Sequence, residues 1–165
     1  MDSKNYDWSK FIKKISINAS PEILYQAWTT QENIEKWFLA KAEFKTPDGT
    51  LRKQNQQIQE GDTFEWMWHG SDVVERGKML AVNKKDKIRF TFYDCFVDVI
   101  IKTDAGENIV ELTQSEIPLT PESRVNQHLG CMRGWTFYMT NLKSILEGGI
   151  DLRNKNKNLT NVINT

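Results

Sequence analysis

The sequence predicts a single α+β domain, with a long C-terminal helix lying across the concave face of a curved antiparallel sheet of about seven strands. Three observations carry that prediction. Apolar and polar residues alternate almost without interruption from Gly61 to Gln114, the two-residue period of half-buried strands. The turns within that stretch, Asn83-Lys84-Lys85-Asp86 and Asp104-Ala105-Gly106-Glu107, are too short for a parallel return and force antiparallel neighbours. Finally, a proline-free run leads from Pro121 to Gly148-Gly149, enough for a helix of about 40 Å.

Taken in order, Phe11 to Asn18 reads as the first strand, with Ile15 and Ile17 on one face. Ser20-Pro21-Glu22 starts a helix: a capping hydroxyl, a proline at the first helical position and an acid at the positive end of the dipole. Ile23, Leu24, Ala27 and Trp28 then share a side, and Thr30 opens a second short helix with Ile34, Trp37 and Phe38 at helical spacing. Lys41 to Thr46 forms a strand that ends at Pro47-Asp48-Gly49. Thr50 to Glu60 is polar and glutamine-rich and is expected to be a mobile excursion. The remaining strands are marked by Phe64, Trp66 and Trp68, by residues 73–82, by Ile88, Phe90 and Phe92, by Val97, Val99 and Ile101, and by Val110, Leu112 and Gln114. Thr120-Pro121-Glu122 repeats the helix start. At about 100° per residue, His128, Cys131, Met132, Trp135, Tyr138, Met139, Leu142 and Leu146 fall on one stripe that must face an apolar partner. Residues 1–10 are expected to be flexible, 11–148 to form the domain, and the Asn/Lys-rich 149–165 to be a disordered tail.

Composition narrows the function. The 165 residues fit one domain, and 22 basic residues balance 22 acidic ones, so no net field draws the chain to nucleic acid or an anionic membrane. No apolar run approaches the length of a membrane span, so no insertion is expected. Met1 to Lys14 is polar, which together with only two cysteines points to a cytoplasmic location. Cys95 and Cys131 have no metal-type spacing, and a single bridge between them is left open. With two histidines and no Gly-rich phosphate loop, nucleophile elbow or paired carboxylates, no metal or other cofactor is expected.

Two short helices after the first strand, six further strands and a closing helix make a helix-grip arrangement. The chain resembles the single-domain proteins related to the C-terminal domain of the activator of the 90-kDa heat-shock protein ATPase. These belong to the START and birch-pollen-allergen-like superfamily of polyketide cyclases and lipid-transfer proteins. The resemblance rests on Ala19-Ser20-Pro21, Ala27-Trp28-Thr29-Thr30, Ile34 with Trp37-Phe38, Gly61-Asp62-Thr63-Phe64-Glu65-Trp66, Gly77 with Met79, Ile88-Arg89-Phe90-Thr91-Phe92, and Gly134-Trp135 with Leu142 and Leu146. It runs from about residue 11 to 148, and these are chiefly packing positions. It implies a cavity under the helix. Three functions fit it: holding a small apolar ligand, contacting a 90-kDa heat-shock protein as a stress-response co-chaperone does, or cyclase- or hydrolase-type catalysis in the same pocket. Binding is preferred over catalysis, and the chain is expected to be a monomer or weak dimer.

The candidate pocket joins Trp66, Trp68, Phe90, Phe92, Val99 and Leu112 of the sheet to Cys131, Met132, Trp135, Tyr138 and Met139 of the helix stripe. The competing reading is that such rings simply interdigitate as a core. Gln114 alternates in step with Val110 and Leu112 and should point inward, and His128 lies within the stripe; they would orient a polar group of the ligand, satisfy each other, or, for His128, sit at a helix end in solvent. His128 and Cys131 lie three apart on a helix and could form a nucleophilic pair. No third residue orients the histidine, and inert packing is the preferred reading of Cys131.

Overall fold

The computed structural model describes residues 6–156, 158, 159 and 162. Its seven-stranded antiparallel sheet runs β1-β7-β6-β5-β4-β3-β2. The strands are β1 (Phe11–Ser16), β2 (Lys41–Lys45), β3 (Thr63–Met67), β4 (Val74–Val82), β5 (Lys87–Phe92), β6 (Cys95–Asp104) and β7 (Glu107–Ser115). Every strand pairs with its chain neighbour except at one edge, where the first pairs with the last, Ile15 opposite Val110. The predicted α+β helix-grip architecture is the observed one.

The alternation sets which side chains go inward. Phe64, Trp66, Phe90, Val97, Val99, Leu112 and Gln114 are all buried, and register aligns them on one face: Phe90 lies opposite Val97, Val97 opposite Gln114, and Val99 opposite Leu112. Lys45 with Glu65, Arg76 with Glu65, and Arg89 with Asp98 form ion pairs on the other face, where water screens them. Gly77 is required by packing, because a Cβ there would run into the Phe64 ring and lie 2.7 Å from Thr91 Oγ1.

Helices α1 (Pro21–Thr29) and α2 (Gln31–Trp37) follow β1. Ser20 caps α1 by accepting the Ile23 N–H at 3.3 Å. Trp28 and Trp37 meet edge to face at 4.6 Å, and Trp37 Nε1–H donates to the Ala27 carbonyl at 2.8 Å, locking the two helices together. The C-terminal rod comprises α3 (Pro121–Ser123), a π-helical segment (Arg124–Gly130) and α4 (Cys131–Gly148). Gly149 closes it in the left-handed conformation, φ 72°, the backbone region that glycine enters most easily.

Three segments expected to be mobile carry anchors. The 50–60 excursion is pinned: Ile58 is buried, its N–H donates to Thr29 O at 2.9 Å, and Arg52 forms a buried ion pair with Asp62. In the supposed tail, Arg153 is buried and donates to the carbonyls of Glu35 (2.9 Å), Lys36 (2.6 Å) and Leu39 (2.9 Å). At the other end Tyr6 and Trp8 pack on His128. In each case a few polar or aromatic anchors satisfy backbone groups that composition alone does not reveal. The expectations for residues 1–5, 157, 160, 161 and 163–165 fall outside the described residues.

Candidate functional site

At one end of the sheet, a cavity of about 670 Å³ opens between the strands and the C-terminal rod. Phe38, just past α2, brings three walls together: its ring stacks on Trp135 at 5.0 Å and meets Trp68 and Tyr138 edge to face at 5.6 and 4.9 Å. Phe92 lies 5.2 Å from Trp135. The β3–β4 connection supplies His69, Gly70, Ser71 and Val73, the β5–β6 turn supplies Tyr93, and the rod supplies Asn126, Gln127, Gly130, Cys131, Arg133 and Gly134.

Of the residues expected in the pocket, Trp68, Phe92, Cys131, Trp135 and Tyr138 line this cavity. The others do not. Trp66, Phe90, Val99, Leu112 and Met139 are buried in the adjoining core, where the rings interdigitate: Phe64 stacks on Trp66 at 4.0 Å, and Phe90 meets Trp66 at 5.3 Å. Met132 packs against the core while partly exposed. Gln114 is fully buried and acts as a bracket, accepting from Trp135 Nε1–H at 3.0 Å and donating to the Gln127 carbonyl at 3.3 Å. It ties sheet to helix beneath the cavity rather than lining it.

His128 is the clearest correction. It is fully buried, but under the N-terminal segment. Its Nδ1 meets the Trp8 carbonyl at 2.9 Å, which can only accept, so Nδ1 carries a proton; Nε2 is then free to accept the Tyr6 hydroxyl at 2.8 Å. His128 lies within the π segment, whose i→i+5 hydrogen bonds widen the turn, and its ring meets Phe11 of β1 at 5.4 Å. With both ring nitrogens engaged, His128 does not activate Cys131. That thiol donates to the Asn126 carbonyl at 3.7 Å, and burial pushes its pKa up to about 11, leaving it protonated and poorly nucleophilic. Both cysteines are free.

Sequence reasoning missed Phe38, Tyr93 and the glycine gap. Gly130 and Gly134 lie four apart on the rod and line the cavity, and a Cβ built at Gly134 would meet nothing within 4 Å. A side chain at Gly134 would enter open space, whereas one at Gly130 would touch the Val125 carbonyl at 3.4 Å. Glu75 was missed as well. It lies opposite Trp66 in the ladder, points to the same apolar face and accepts the Tyr93 N–H at 2.7 Å. Burial pushes its carboxyl pKa up, and Asp94 adds to the effect. Its phase with Gly77 and Met79 was the available signal. Tyr93 itself sits at φ 49°, strained for a tyrosine. Among the described residues no group of three or more His, Cys, Asp or Glu could hold a metal ion, and no helix is long and apolar enough to cross a membrane.

Solved structures repeat this fold. A Staphylococcus saprophyticus protein superposes with TM-score 0.69 at 19% identity, over 87% of this chain and 96% of its own. The Aha1 dimer from Colwellia psychrerythraea gives TM-score 0.67 at 19% identity, over 85% and 97%. DynU16, a protein of the dynemicin biosynthetic locus, gives 0.66 at 15% identity, over 89% of this chain but 50% of its own. At such identities the likeness shows the fold alone. No curated protein matches. Residues 18–147, most of the chain, match the Activator of Hsp90 ATPase homolog 1-like protein family, and the chain belongs to that family.

Proposed function

We propose that the domain holds a small, mostly apolar ligand in the cavity between the sheet and the C-terminal rod. The observation that carries this is the gap at Gly130 and Gly134 facing Trp68, Phe92 and Trp135. A glycine inside a helix costs about 1 kcal/mol relative to alanine, and a side chain at Gly134 would meet no obstacle, so packing does not demand the vacancy. A volume of about 670 Å³ suits a drug-sized molecule. Ring walls supply dispersion and hydrophobic contact, and the amides of Asn126 and Gln127 supply direction.

Gly134→Phe tests this by filling the cavity from its own wall. Native mass spectrometry of protein purified from its own host should show a small molecule on the wild-type chain and none on Gly134→Phe, with thermal stability kept or raised. A wild-type chain that carries nothing, and takes up no naphthalene-type probe at millimolar concentration, would end the reading.

A further inference from the structure

The ligand's polar end can be assigned from the charges around the cavity, an inference that rests on the binding reading above. Arg133 is the one formally charged side chain among the residues lining the cavity, and no carboxylate lines it. It is exposed at the mouth, and among the described residues it has no hydrogen-bond or ion-pair partner. Gln127 stands on the same wall. Its Oε1 accepts the Cys95 thiol at 3.9 Å and its main-chain carbonyl accepts from Gln114, so the group it has left to offer the cavity is its Nε2–H₂. The Tyr138 hydroxyl also has no partner among the described residues, and burial pushes its pKa up to about 12, which keeps it a donor.

The rod side of the cavity therefore presents donors and its one formally charged side chain, across from Trp68, Phe92 and the His69–Ser71 connection. We propose that the ligand is a planar, ring-bearing acid, its rings against Trp68, Phe92 and Trp135 and its anionic oxygen group directed at Arg133 and Gln127. A guanidinium pairs with a carboxylate through two parallel hydrogen bonds, and low-dielectric walls strengthen the attraction. Glu75 is a carboxylate close to the cavity, near enough to act on Tyr93 and Cys131. It lies behind Tyr93, with Oε1 turned to that residue's N–H, so the anion belongs on the rod side.

The probes are 1-naphthylacetate and its neutral isostere 1-naphthylacetamide. They are titrated into the full-length ¹⁵N-labelled chain while the indole N–H signals of Trp68 and Trp135 are followed. The acid should bind about fivefold tighter than the amide, the worth of about 1 kcal/mol from one partly exposed charge pair. Arg133→Gln should abolish that difference, and high salt should narrow it. Equal binding of acid and amide would overturn the anionic assignment and leave the apolar cavity reading standing. A preference for the acid that survives Arg133→Gln would overturn the role given to Arg133. Failure of both probes to move either indole signal would overturn the binding reading itself, and this inference with it.

Discussion

Trp135 does two jobs in one side chain. Its ring, 2% exposed, stacks on Phe38, and its N–H reaches Gln114 on β7. Trp135→Ala removes the ring and strands a buried amide, so it should cost about 3–5 kcal/mol, read as a fall in denaturant midpoint; an unchanged midpoint would contradict this packing. Glu75 makes the opposite prediction. Its raised pKa means the protonated form favours the folded state, a contribution present below the unfolded value of about 4.3 and lost as pH rises through the folded value. Glu75→Gln should therefore melt higher than wild type at pH 7, with the gap closing towards pH 4. A constant gap would show that the carboxylate is not desolvated. The inward placement of Trp66, Phe90 and Leu112 was legible from alternation, because a strand's faces follow from parity alone. Whether each ring bordered space or other rings was not legible, since that depends on Phe38 arriving from another element and on what Gly130 and Gly134 leave out.

Among the elements, the C-terminal rod was readable as one long helix from its start signal and its glycine stop, and the stripe around Trp135 followed from α-helical spacing within α4. The π segment was not readable. Nothing in Arg124–Gly130 announces a wider turn, and His128 lies within it, under the N-terminal segment and away from the cavity. The segment after Gly149 was hidden for another reason. One arginine among asparagines and lysines is compositionally unremarked, yet Arg153 satisfies carbonyls left over at the end of α2. Asn141 holds the approach, donating to Asp151 at 3.2 Å and accepting the Leu152 N–H at 2.7 Å. Arg153→Ala, or truncation after Gly149, should therefore destabilise by about 2–3 kcal/mol, where a disordered tail would give no change in melting temperature. Asp151 reinforces the anchor. Burial raises its pKa, but hydrogen bonds from Arg153 and Lys155 outweigh that and hold it well below the ordinary value. Its contribution is present above the unfolded value and is lost as pH falls through the folded one, so the truncation penalty should shrink in strong acid.

For the whole molecule, the sheet places the cavity. Chain-neighbour pairing carries β2 to β7 across in sequence order, the two short helices buttress one end, and the rod returns over the concave face to close the other side. The single departure from neighbour pairing is β1 on β7, Phe11 opposite Gln114. A ribosome delivers these strands at opposite ends of synthesis. Phe11–Ser16 emerges first and has no ladder partner until Glu107–Ser115 has cleared the exit tunnel, and such distant pairings form slowly. Nascent chains stalled near Asp104 should accordingly remain protease-sensitive, with protection arriving only once β7 and the rod are out. Protection at the earlier stall would mean that the remaining strands fold without their last-made edge.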